Sequence, residues 1–357
     1  MIPADIGAQI ARLAQEEVAL GNLPDRVSAL SAAGTWRPAP AQAGGGPGTY
    51  ATSLPLVIAR LIGRPAESAA EQFARGLGDV PWIRCAQVTA GYLTITVTAG
   101  HLAGLPARIV AAGSGAVRST ALAGRLITAP SPPDLTVAPD WNRAWRTHHE
   151  ALVGRLAEAA GATVMFVEPQ RNAIADSAAA GFAAQVPAAV AQHGVDAVRY
   201  ALARAATPRP HAIRRQLDLP LDLANPFVLV RYAHADAAST LRWAADLGLA
   251  PAKGAAARGD LRPPELALID AMSWLPERLA AAARRARPAE LTACLERVAS
   301  AWLDCAQQCP ALPFRGAAAP ADPNGPLAAA RLGLADAARV TLAAGLLLLG
   351  ISAPARA

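Results

Sequence analysis

Lysine is all but missing from this chain. Of the 33 Lys and Arg residues in 357, only Lys253 is lysine. That scarcity excludes several chemistries. A Walker A loop needs Gly-Lys-Ser/Thr, and Lys253 is followed by Gly254. A Ser-x-x-Lys hydrolase fails because Ala250 stands three residues before it. Cysteine is scarce too: Cys85, Cys294, Cys305 and Cys309 form no Cys-x-x-Cys pair, which excludes zinc-ribbon and thioredoxin-type sites. They read as free thiols in or near a core, in a reducing cytoplasm. Long hydrophobic runs are few. The longest, Val340 to Ile351, is broken by Gly345 and Gly350 and falls short of the ~20 residues a membrane span needs. It reads as a buried C-terminal helix. Met1 to Gln15 mix acid and base with no apolar core, so no targeting segment and no membrane partner are expected.

Apolar residues make up 53% of the chain and charged ones only 17%, which excludes a disordered protein. Alanine, the best helix former, supplies about a quarter of it. The formal charge of +6 points weakly to an anionic partner. His148-His149-Glu150 reads as no metal site, because adjacent helical side chains diverge. Gly113-Ser114-Gly115 lacks the later glycine of a dinucleotide fingerprint.

The length allows two domains or more. Ile6, Ile10, Leu13 and Val18 predict an amphipathic helix from Ile2 to Leu20, stopped at Gly21 to Pro24. After a Pro/Gly-rich loop at Ala39 to Gly48, helices are predicted over Ala51 to Leu61 and Glu67 to Leu77. Trp82 to Val88 and Leu93 to Thr98 have strand character, the second alternating apolar residues with Thr. With a helix over Leu102 to Ala112, residues 1–112 read as an α+β domain, helices on a small antiparallel sheet. Residues 113–185 read as a short connector: turn clusters at Ser131 to Asp134 and Ala138 to Asp140, a helix near Arg143 to Ala160, and a single strand within Gly161 to Val167. Residues 186–357 read as an all-helical bundle with Pro/Gly breaks. The whole is mostly α.

Three stretches carry a resemblance. The first is Asp196-Ala197-Val198-Arg199. The second runs from Asn225 through Pro226, Arg231, Tyr232 and Ala233 to His234, with Asn225 suited to an N-cap and Pro226 to the first helical turn. The third is the ending Gly350-Ile351-Ser352-Ala353-Pro354. Together they resemble the arginyl-tRNA synthetase family: its Asp-Ala-Leu-Arg (DALR) anticodon-binding motif, its Asn-Pro-x-x-Tyr-Val-Gln-Tyr-Ala-His helix and its Leu-Leu-Gly-Val-Ser-Ala-Pro terminus. Gly48-Thr49-Tyr50-Ala51-Thr52 and Gly91-Tyr92-Leu93-Thr94 are similar to segments of that family's additional N-terminal domain.

The resemblance implies tRNA, possibly tRNA-Arg, as partner. It implies tRNA-binding roles for Arg199, Arg231, Tyr232, His234, Arg242 and Trp302 in the helical part, and for Tyr50 and Tyr92 in the N-terminal part. Arg204, Arg209, His211, Arg214 and Arg215, and then Arg284, Arg285 and Arg287, form basic clusters that read either as phosphate-docking faces or as solvated helix surface. Asp236 stands where the family has Arg after His-Ala, and Cys305 or Ala306 where it tends to have a second aromatic. A class I synthetase carries a large nucleotide-binding catalytic domain between the two parts. Here about 70 residues lie there, against about 30 for each βαβ unit of such a sheet. The His-x-Gly-His signature is absent, and one lysine cannot make Lys-Met-Ser-Lys. The expectation is therefore a short, cytoplasmic, non-catalytic relative with an accessory or regulatory role. It has no catalytic residue, no metal and no cofactor, ATP entering only if residual arginine–tRNA ligase activity persists. A protein-interaction module on the same scaffold is the other reading.

Overall fold

A computed structural model describes residues 1–27, 35–39, 45–63, 65–89, 91–138, 140–168, 185–252, 261–313, 322 and 324–356. Lys253 and parts of three expected loops lie outside them. The N-terminal part opens with α1 (Ile2–Ala19), whose Ile2, Ile6 and Ile10 are buried along one face. A four-stranded antiparallel sheet follows in the order β1 (Trp36–Pro38), β2 (Thr49–Thr52), β4 (Tyr92–Val97), β3 (Ile83–Thr89). Helices α2 (Leu54–Ile62) and α3 (Ala66–Gly78) pack on it, and α4 (Ala99–Ala103) and α5 (Leu105–Ala112) leave it.

Two expectations shift here. The helix expected from Ala51 starts at Leu54, because Ala51 and Thr52 pair with Thr94 and Leu93 of β4. The helix expected over Leu102 to Ala112 is two helices, broken at Gly104 ahead of Pro106.

The middle segment is more ordered than a connector. Leu126–Pro130 form β5, α6 (Trp141–Ala159) crosses over, and Thr163–Val167 form β6, paired parallel to β5. This is one βαβ unit. β5 escaped the sequence reading because its Leu-Ile-Thr-Ala-Pro run does not alternate. Gly154 lets α6 lie close on the strands: a Cβ there would meet Ala129 Cβ at 2.4 Å.

The rest is helical: α7 (Gln185–His193), α8 (Val195–Arg204), α9 (Pro210–Leu217), α10 (Pro226–Asp246), α11 (Pro263–Ser273), α12 (Leu275–Arg284), α13 (Ala289–Gln308) and α14 (Pro326–Leu349). Pro263, expected as a break, opens α11, since a first-turn proline loses no intrahelical hydrogen bond. The 24-residue α14 is long and apolar enough to span a membrane, but 67% of its apolar window is buried against α5, α10 and α13.

The two halves share one hydrophobic core running from Ile2 to Ile351. Polar bonds reinforce the seam. Gly48 N–H donates to Asp270 Oδ1 at 3.0 Å, and Tyr50 Oη lies 2.9 Å from Ser273 Oγ. Gly48 has φ of +80°, and a Cβ there would meet Leu102 at 2.6 Å, so glycine is required on both counts.

Candidate nucleic-acid interface

Helices α8, α13 and α14 pack around α10. Asn225 caps it, Oδ1 accepting from Phe227 N–H at 3.1 Å, while the Asn225 amide reaches back to Leu219 O. That fixes the loop from Asp218 to Ala224 over the start of the helix. Beneath the loop is a cavity of about 480 Å³, lined by Gln192, Tyr200, Arg204, Gln216, Leu221 and Phe227 among others. The rings of Tyr200 and Phe227 are tilted at 53° with centroids 5.7 Å apart. Tyr200 Oη donates to Glu296 Oε1 at 3.0 Å and Arg204 Nε to the same oxygen at 2.8 Å. Burial, then Glu296, holds the Tyr200 phenol well above its usual pKa, so it remains a donor. Tyr200 is buried beneath the cavity, so the ring available to an unstacked base is the half-buried Phe227, with fixed polar groups beside it.

The arginines beside it are free. Arg209, at the cap of α9, and Arg214 and Arg215 in its last turn are exposed, and no carboxylate pairs with them among the described residues. The second basic cluster differs. Arg284 lies 3.4 Å from Glu277 and Arg285 3.2 Å from Glu290. Arg287 is exposed with no carboxylate partner among the described residues, and Arg204 of the first cluster is held by Glu296, so α9 keeps the larger share of charge for phosphates.

The side chains chosen by resemblance divide sharply. Arg199 donates to Gly350 O at 2.8 Å. His234 Nδ1 lies 2.8 Å from Pro354 O and donates to it; burial lowers the pKa of this imidazole. Arg242 donates to Ala355 O and, at 2.7 Å, to Ser239 Oγ. Asp196 accepts from both the backbone N–H and the hydroxyl of Ser352. These groups hold the chain's own tail. Trp302 is buried and its indole donates to Asp236 Oδ2 at 3.1 Å. The acid that departs from the family pattern therefore has an internal partner. Tyr50 is fully buried at the seam between the halves, and Tyr92 is half-buried under Arg37, whose guanidinium sits 3.7 Å from the ring centre. Arg231 lies 5.1 Å from the centre of the Phe227 ring, which lines the cavity, and Tyr232 is 39% exposed. The burial of Tyr50 and Trp302 is a correction to their expected surface role: both are packing residues. Tyr200 and Phe227 were not among the expected site residues, although Tyr200 directly follows the first quoted stretch and Phe227 stands inside the second.

Among the described residues the βαβ unit offers no phosphate cradle. In open α/β sheets ligands lie beyond the carboxyl ends of the strands. There Asp134 accepts from Thr136 N–H at 2.9 Å and Asp140 from Arg143 N–H at 2.9 Å, so the turn after β5 and the start of α6 are both capped by acids. His148, within α6, is fully buried and held neutral, its pKa pushed down to about 3 by burial. No group of three or more metal-ligating side chains occurs among the described residues.

Residues 230–356, the span from α10 to the tail, match the DALR anticodon binding domain. In that span the chain is similar to the arginyl-tRNA synthetases. It is 39% identical over 170 residues, 46% of its length, to the arginine–tRNA ligase of Frankia alni. The aligned part spans only 29% of that ligase. Its fold is similar to that of the Thermus thermophilus arginyl-tRNA synthetase, with a TM-score of 0.58 at 14% identity and 100% of both chains covered.

Proposed function

We propose that this synthetase-like chain binds tRNA, or an RNA folded like it, without aminoacylating it, in an accessory or regulatory role in the cytoplasm. The observation that carries the reading is at α9: this helix carries exposed Arg209, Arg214 and Arg215, with no carboxylate partner among the described residues, and its Gln216 lines a cavity that Phe227 also lines. Arginines position a phosphate backbone, and aromatic walls accept an unpaired base. The anticodon-binding match supports the choice of tRNA over other RNA. The non-catalytic half of the proposal draws support from the single βαβ unit with acid-capped turns and from the missing His-x-Gly-His signature.

The test is titration of labelled tRNA-Arg and a non-cognate tRNA at two salt concentrations. Tight binding that distinguishes them supports the proposal. Weak binding that vanishes with salt overturns it and favours the second reading, a protein-interaction module. That reading has its own observation: Arg199, His234 and Arg242 are engaged with the tail. Arginine-dependent ATP–pyrophosphate exchange above background would overturn the non-catalytic part alone.

A further inference from the structure

The β5–β6 pair is an unusual remnant. Parallel sheets normally have both faces covered. Here α6 covers one face, against Ile127, Ala129, Val164 and Phe166. The other carries Leu126 at 72% exposure, Met165 at 56% and Val167 at 43%. The two edges are not equivalent. β5 is guarded by Arg125 before it and Pro130 at its end, both common devices against unwanted pairing. β6 reads Thr-Val-Met-Phe-Val, with no charge and no proline, and among the described residues its outer edge pairs with no strand.

We propose that β6 pairs antiparallel with β6 of a second copy of this chain, giving a four-stranded sheet in the order β5-β6-β6-β5. Charge placement selects that occupant and that direction. Glu168 follows β6, exposed and with no partner among the described residues; Arg125 lies at the opposite end of the pair, where its carbonyl accepts from Thr163 N–H at 2.9 Å. A two-fold axis at Met165 sets Thr163 opposite the second copy's Val167 and Met165 opposite its counterpart. Glu168 then falls opposite the second copy's Ala162, with that copy's Arg125 on the adjoining strand. Acid meets base at both ends. A parallel arrangement would set acid beside acid. The interface is isologous and closes on itself.

Sedimentation velocity of the full chain over a concentration series tests this. The wild type is expected to move from monomer to dimer as concentration rises. Met165→Lys, at an exposed position, should remain monomeric with an unchanged circular dichroism spectrum. Glu168→Arg should weaken the dimer at least tenfold, and adding Arg125→Glu should restore it, since the swap rebuilds the same pairs in reverse. A wild type that is monomeric throughout overturns the proposal, as does a dimer indifferent to both Met165→Lys and Glu168→Arg. If Met165→Lys fails to fold, the charge-swap pair decides alone.

Discussion

The guanidinium of Arg199 donates to the main-chain oxygen of Gly350 across 2.8 Å, joining two sequence signatures that lie 151 positions apart. Asp196 accepts from the Ser352 N–H and hydroxyl, and His234 donates to Pro354 O. The three stretches that carry the resemblance are therefore one contact. Removing Asp196 leaves the Ser352 N–H and hydroxyl without their acceptor. Ser352 is exposed and water can replace the acceptor, so Asp196→Ala should cost about 0.5–1.5 kcal/mol and speed hydrogen exchange of the tail amides, with little change in the salt dependence of RNA binding. A lowered salt slope would show that these residues touch phosphate after all.

The α9 arginines behave oppositely. Each phosphate neutralised contributes about 0.7 to 0.9 to the slope of log affinity against log salt. Arg214→Ala and Arg209→Ala should each lower the slope for tRNA by about that amount and leave the melting temperature unchanged, since both side chains are exposed and unpaired. Binding isotherms at several salt concentrations read this directly.

Gly154→Ala probes the βαβ unit. The new methyl would press on Ala129 Cβ, which has no rotamer with which to yield. Overpacking of this kind costs about 1–3 kcal/mol, partly offset by alanine's helix preference of ~1 kcal/mol. Chemical denaturation should show a net loss. A gain would mean that α6 and β5 can separate freely.

Arg331 and Glu265 form a buried ion pair at 3.0 Å, with the guanidinium also donating to Pro310 O at 2.9 Å. Glu265 Oε2 meanwhile accepts from Arg262 N–H at the start of α11. Glu265→Ala takes the Glu265 carboxylate away from a buried guanidinium and opens that cap, and should cost about 3–5 kcal/mol. The double variant Glu265→Leu with Arg331→Met should recover much of that loss in the same denaturation assay.

Acid sensitivity should trace to His148. Its folded pKa of about 3 lies below the ordinary 6.5, so the native state keeps it neutral. Above pH 6.5 neither state binds the proton and the stability is complete. As pH falls from 6.5 towards 3, the unfolded chain takes up a proton the folded chain refuses, and stability drops. At ~1.4 kcal/mol for each pH unit the loss is on the order of 4 kcal/mol. His149 and His234, also lowered by burial, act in the same direction. His148→Leu should flatten the fall in melting temperature between pH 6.5 and 4.

Much of the fold is written locally. The period of α1, the Thr alternation of β4 and the Asn225-Pro226 start of α10 each have a short-range cause, and each appears within a residue or two of its expected place. What escaped depends on distant partners. Thr49–Thr52 is too short and too alanine-tolerant to declare itself a strand until β4 lies beside it. β5 exists through its register with β6, thirty-odd positions on. The candidate interface was half legible for a related reason. Residue type marks arginines and aromatics, but only the folded chain tells a guanidinium committed to a carbonyl, as in Arg199 and Arg242, from one facing solvent, as in Arg214.

The seam where Gly48 meets Asp270 and Tyr50 meets Ser273 has one more consequence. Because a single apolar interior runs through both halves, neither is the other's passenger. A protease cut between them would not liberate two soluble modules. It would leave Ile2, Tyr50 and Leu105 on one piece, and Trp274 and Leu346 on the other, facing water they never meet in the intact chain. Heating should therefore melt beginning and end together, in one transition, however far apart they stand in the gene.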